Sequence, residues 1–250
     1  MSCSSFVGTT HLSDKHFENP RVITFNVKEE QESYVAKLEK GKRGNKYFYR
    51  VIMSNIPENA KGPLEKTMSV SKDVQINFNK RKFDVLFPMT SVFTSWVDGH
   101  RLSSKITYVE SEHRFLVQSK NGNEYIPWTT SENPKVICFF TQIMPCISRT
   151  DAFLAKGLAE GESIDFYVIW ERYPFLDSFY EGMTNELISP AVLTLEKRED
   201  AYLSLNVEVA NQILNYRVDY SLDMLGFAWS AQGISWEQEE VTPLKQVEHF

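Results

Sequence analysis

The chain has 250 residues and a mass of 29.0 kDa, with 42% hydrophobic, 24% charged and 13% aromatic residues. That balance excludes a disordered chain, a collagen-like chain and a coiled coil. Lys and Arg number 27 against 33 Asp and Glu, a formal charge of −6; this argues against a nucleic-acid partner, because phosphate neutralisation needs a basic excess or stripe.

Residues 1–20 read as a polar N-terminal arm that carries two aromatics, Phe6 and Phe17. They show no basic start followed by a long apolar core, so no signal peptide is expected. Val22–Val27 reads as a strand. Lys28–Lys40 reads as a helix, with Asn26 as cap, Glu29 at capping-box spacing, a stripe of Tyr34, Val35 and Leu38, and Gly41 at its end. The basic run Lys40–Lys46 then reads as a solvated loop. In the strand Tyr47–Met53, Tyr47 and Tyr49 share a face with Val51. Pro57–Met68 is the most linker-like piece. Val74–Phe78 and Phe83–Phe87 are strands around the charged turn Lys80-Arg81-Lys82.

Strands follow at Lys105–Glu110, Phe115–Ser119 and Glu124–Trp128. Asn121-Gly122 predicts a type I′ hairpin turn, because both residues tolerate positive φ. Asp98-Gly99, after Val92–Val97, is a second turn signal. Val136–Ile143 and Ile164–Trp170 read as strands, with a helix over Asp151–Glu160 between them. A short helix starts at Pro174 and ends at Gly182, with Phe175, Leu176, Phe179 and Tyr180 turned inward. Ala191–Leu195, Tyr202–Val209 and Leu214–Leu222 complete the strands. Within Ala201–Val209 the apolar residues alternate strictly with Ser204, Asn206 and Glu208, the mark of a sheet with one wet face. Residues 231–250 read as an acidic C-terminal segment carrying Trp236 and Phe250. The expectation is one domain over 1–250: a mainly β, antiparallel sandwich or jelly-roll-like core with about three peripheral helices.

Chemistry-bearing motifs are sparse. GxGxxG, GxxxxGK[ST] and GxSxG are absent; Gly233-Ile-Ser235-Trp-Glu237 matches only the first half of a nucleophile elbow. The five histidines form no HExxH or HxH, and His11 and His16 lack metal-ligand spacing on one helix face. Cys3, Cys138 and Cys146 contain no CxxC pair, so a reducing compartment and inert thiols are expected, with Cys138 buried in its apolar run. Cys146 gains no identified histidine partner. Glu110/Glu112 and Glu171/Asp177 are carboxylate pairs of the kind any acidic protein offers. No catalytic residue, metal or cofactor is assigned. No stretch approaches the roughly 20 apolar residues of a membrane helix. The expectation is a soluble, cytoplasmic protein.

The surplus is aromatic: 17 Phe, 11 Tyr and 5 Trp. Phe6, Phe17, Tyr47, Tyr49, Trp236 and Phe250 lie where a core has no evident need of them. They are candidate contacts to a neighbouring surface, of the same subunit or of another.

Val74-Gln-Ile-Asn-Phe78 leading into Phe83–Phe87, then Trp170-Glu-Arg-Tyr173 followed by Ile188-Ser-Pro190, resemble polyhedrins. These are insect-virus proteins that crystallise in the host cytoplasm and embed virions. The resemblance covers less than a fifth of the chain. It implies a jelly roll that assembles with itself, as a trimer or lattice. The expected function is therefore a self-assembling structural protein. The alternatives are a β-sandwich module binding a protein, peptide or glycan, and an enzyme with a dispersed site.

Overall fold

Alternation with a period of two governs most of the described residues. The computed structural model describes residues 18–29, 32–55, 65–78, 81–97, 100–128, 136–147, 158–221 and 223–243. Strands β1 (Glu18–Glu29), β2 (Glu32–Arg43), β3 (Lys46–Asn55), β4 (Glu65–Phe78), β5 (Arg81–Val97), β6 (His100–Val109), β7 (Arg114–Ser119) and β8 (Gly122–Pro127) form an antiparallel meander. β10 (Ser163–Ile169), β11 (Ile188–Arg198), β12 (Leu203–Val209), β13 (Gln212–Val218), β14 (Met224–Trp229) and β15 (Ile234–Pro243) form a second one. β1 pairs with β15, which merges both meanders into one large sheet. β9 (Ile137–Phe139) runs parallel to β10 at the far edge. Among the described residues the α-helices are α1 (Ile143–Ile147) and α2 (Leu176–Phe179).

The register lines up the inner face. Phe25 on β1 lies opposite Ala36 on β2, and Ile23 opposite Leu38. Leu38 lies opposite Val51, which lies opposite Thr67 on β4. Across the seam, Val27 faces Trp236, which faces Phe227; Phe227 faces Tyr216, and Tyr216 faces Leu205. Apolar residues on this face form the main core, drawn from β1–β3, β5, α1 and β10–β14. A second core joins Ile106, Phe115 and Val117 to Phe139, Ile169 and Tyr173. Hence the strands at one end of the sheet pack against those at the other.

Several expectations are corrected. Sheet neighbours are sequence neighbours except at β1–β15, whereas a jelly roll interleaves distant strands. Two α-helices are described, not three. The helix expected over Lys28–Lys40 is the β1–β2 hairpin, because Tyr34, Ala36 and Leu38 alternate inward against Val27, Phe25 and Ile23. Tertiary pairing overrides the local capping pattern there, and Gly41 lies inside β2. The expected strand Val136–Ile143 breaks after Phe139 into a 3₁₀ turn and α1. The acidic segment contributes β15, which is central to the sheet. Of the helix expected over Asp151–Glu160, residues 151–157 lie outside the described residues, and 158–160 are not helical.

The β7–β8 hairpin forms, but its turn is Lys120-Asn121, and Gly122 (φ +117°) opens β8. The positive-φ pair is instead Ala210-Asn211 (φ +49° and +60°), between β12 and β13. The strand-then-helix reading of Ile164–Tyr180 holds, as β10 and α2. The register pairs Val97 with His100, so β5 and β6 join at Asp98-Gly99, two residues outside the described set.

Cys138 and Cys146 are joined in a buried disulfide, correcting the expectation of free thiols. Their Cα atoms lie 5.7 Å apart because α1 folds back onto β9. A cross-link closing so short a loop constrains the unfolded chain by about 2–3 kcal/mol. The double variant Cys138→Ala/Cys146→Ala should therefore unfold at lower urea with an almost unchanged m-value. Unchanged stability would show that the link carries no such weight.

Candidate functional site

The site begins with a strand whose polarity is inverted. In β4, Glu65, Thr67, Ser69 and Ser71 are buried, while Lys66, Met68 and Val70 on the other face are half-exposed. The inner face continues into Ser91 and Ser95 of β5 and Ser104 of β6, all buried. Buried hydroxyls without partners cost free energy, so this stripe must serve something polar.

It serves the segment that follows β10. Glu171 is 3% exposed. Its Oε1 accepts hydrogen bonds from Ser69 Oγ (3.2 Å), from the Thr141 amide (3.2 Å) and from Thr141 Oγ1. Ser104 Oγ donates to the Glu171 carbonyl at 3.2 Å. Beside it, Gln142 Oε1 accepts from Ser71 Oγ, and Gln142 Nε2 donates to the Ser69 carbonyl. Burial pushes the Glu171 carboxyl up to about 7, against the lowering effect of those donors. Among the described residues no cation lies within ion-pair distance of it.

The next side chain points elsewhere. Arg172 forms a bidentate pair with Glu65, Nη2 lying 2.8 and 2.7 Å from the two carboxylate oxygens. Its guanidinium lies 4.7 Å from the Tyr180 ring centroid and 5.0 Å from that of Phe179. The Glu65 charge raises the Arg172 pKa despite burial, so the guanidinium stays charged. Removing one partner of such a buried pair strands the other charge.

Trp170 turns into an aromatic cluster. Its ring stacks on Phe140 at 4.7 Å and lies 6.1 Å from Trp229; Tyr180 lies 4.4 Å from Trp229. Trp170 Nε1 donates to Ser189 Oγ, and Trp229 Nε1 donates to Gln212 Oε1. Phe227 and Trp236 extend the cluster to β1 through Phe25. Between the cluster and the carboxylates lies a cavity of about 70 Å³. Its wall includes Phe140, Trp170, Tyr180, Phe227, Trp229 and Trp236, together with Glu29, Glu65, Glu171 and Arg172.

Of the residues singled out in the sequence, Trp236 lines this cavity. Tyr49 is buried on the inner face opposite Ser69. Tyr47 packs against the main core beneath the Lys42 ammonium, 5.4 Å from its ring. Phe6, Phe17 and Phe250 lie outside the described residues. Glu171 and Asp177 do not share a site, since Asp177 is exposed on α2. Glu110 and Glu112 are exposed beside Lys72 and Arg114. No cluster that could hold a metal is found among the described residues, and no helix there is long and apolar enough to cross a membrane. Sequence reasoning missed the hydroxyl stripe and the wall residues Phe140, Phe227 and Trp229. The strict alternation Thr67-Met-Ser69-Val-Ser71 was the available signal, but it does not say which face is inside.

Comparison with protein-family models, with curated proteins and with solved structures finds no match.

The Glu171 proton makes a measurable contribution. Burial raises the folded pKa above the unfolded one, so the native state keeps this proton where the unfolded chain has released it. Its stabilising effect is full below about pH 4.5 and is lost as pH rises through about 7. Relative to Glu171→Gln, the wild-type protein should lose about 3 kcal/mol across that window. Urea unfolding of both proteins at several pH values measures the difference, and a pH-independent gap would contradict it.

Proposed function

We propose that the chain is a binding protein that holds a compact end group of its ligand in the aromatic pocket beside Glu171. The observation that carries this reading is the cavity itself: six aromatic side chains converge on it together with ionisable groups. Concave, mostly apolar sites with a few placed polar groups are the usual form of small-ligand sites. A buried carboxyl with a strongly raised pKa in such a cavity is a marker of function.

The five tryptophans supply the test. Trp170, Trp229 and Trp236 line the cavity; Trp96 and Trp128 do not. In protein labelled with 5-fluorotryptophan, a fragment panel watched by ¹⁹F NMR should shift the first three resonances and leave the other two. Trp236→Ala should weaken those fragments roughly tenfold, the effect of losing one aromatic contact of about 1–1.5 kcal/mol. A panel that shifts only Trp96 or Trp128, or shifts nothing, would remove the proposal.

Self-assembly is a second proposal, favoured by a different observation. β8 closes one edge of the sheet, and Tyr125 upon it is 49% exposed. An open strand edge is a template for pairing with another chain. A lattice or occlusion-body role is supported by the resemblance alone. Sedimentation velocity across a wide concentration range should show reversible growth of oligomers; a constant monomer would dismiss this reading.

A further inference from the structure

Resting on the pocket reading above, we propose that the Cys138–Cys146 disulfide is a redox control on the pocket. Reduction by a dithiol releases the turn that forms one of its walls, and reoxidation restores it.

The link brackets the site. Between its two cysteines, eight positions apart, the chain runs through the end of β9, the 3₁₀ turn Phe140–Gln142 and most of α1. All three residues of the turn serve the site. Phe140 stacks on Trp170 at 4.7 Å and lies 5.9 Å from Trp229. Thr141 gives the Glu171 carboxyl two donors, its amide and its Oγ1. Gln142 is tied to β4 by both ends of its side-chain amide. Phe140 and Thr141 line the cavity itself.

The elements around the turn are small. No side chain caps its start, and it is closed by the bond from the Ile143 amide to the Phe140 carbonyl. β9 has three residues and ends the sheet; α1 has five. A helix this short has no stability of its own in water, and short elements at an edge open more readily than a sheet interior. With the link closed, the ends of the turn stay together, so the contacts of Phe140, Thr141 and Gln142 are lost only as a set. With it open they are lost one at a time.

The fold also has a place for the reduced form. Cys146 Sγ lies 3.0 Å from the Leu86 carbonyl oxygen and 3.3 Å from that of Ile137. A disulfide sulfur has no proton to give them, whereas a thiol there has an acceptor in reach. Both sulfurs are buried, so a reductant meets them through opening of β9 and α1. A thiolate of the dithiol then attacks one sulfur, the S–S bond breaks and a mixed disulfide forms. The second thiol of the reagent displaces the remaining protein sulfur. Two electrons and two protons pass to the pair, and the reagent leaves as its own disulfide.

The test uses the full chain as its Cys3→Ser variant, so that every thiol counted comes from the pair, labelled with 5-fluorotryptophan. Dithiothreitol without denaturant should free both thiols of the pair. The Trp170 and Trp229 resonances should shift, while Trp96, exposed on β5, stays in place. Amide exchange over residues 139–147 should quicken at least about tenfold. Oxidised glutathione should reverse all three changes. Fragments that bind the oxidised pocket should bind the reduced chain at least about tenfold more weakly. Cys138→Ala/Cys146→Ala should show the reduced spectrum without reductant; should it fail to fold, reduction of the paired chain decides alone. Free thiols with an unmoved Trp170 resonance would overturn the proposal. So would a pair that resists dithiothreitol, or a reduced chain that loses its sheet altogether. A fragment panel that binds neither form would sink the pocket reading, while the Trp170 shift still decides whether the link governs the turn.

Discussion

Burying the Glu171 carboxyl is the constraint that organises this half of the molecule. A carboxyl 3% exposed needs partners, and they must come from the sheet face opposite it. The chain meets this with hydroxyls where a sheet interior ordinarily carries valine or isoleucine. Ser69 reaches the carboxylate, Ser104 reaches its carbonyl, and Ser71 holds the adjacent Gln142. Met68 and Val70 are displaced to the outer face as a result.

Three consecutive residues then divide the space. Trp170 enters the aromatic cluster, Glu171 enters the hydroxyl stripe, and Arg172 pairs with Glu65 on β4. A short segment in which neighbours face unlike surroundings is tightly specified, because no rotation satisfies all three otherwise. The turn bond from the Phe175 amide to the Arg172 carbonyl completes it. The pocket is the space that remains between these commitments, which is why it has apolar walls and a charged floor.

Strand content was legible wherever period-two alternation coincided with β-branched or aromatic residues, as in Leu203–Val209 and Phe115–Ser119. It failed where polarity was inverted. Residues 65–68 fall at the end of the linker-like piece marked by Pro57, Gly62 and Pro63, yet Glu65 and Thr67 are buried in β4. It failed again at residues 28–40, where a good capping pattern lost to pairing with β1. The site was legible only in fragments: Trp236 as a misplaced aromatic and Glu171 as one carboxylate among many. Their convergence depends on the β1–β15 seam, which joins residues more than 200 positions apart and leaves no local trace. The disulfide escaped for a similar reason, since the turn Phe140–Gln142, which starts the fold-back that brings its sulfurs together, reads as a continuing strand.

The seam itself has a consequence for binding. In its register Glu29 lies opposite Ile234 and Val27 opposite Trp236, and three of these four residues line the cavity. The joint between the two meanders is therefore also a wall of the pocket. A molecule seated there touches both meanders at once and acts as an added rung across the joint. Whatever free energy it gains from the closed seam it returns to the seam in equal measure, so occupancy and closure of the sheet become one linked equilibrium.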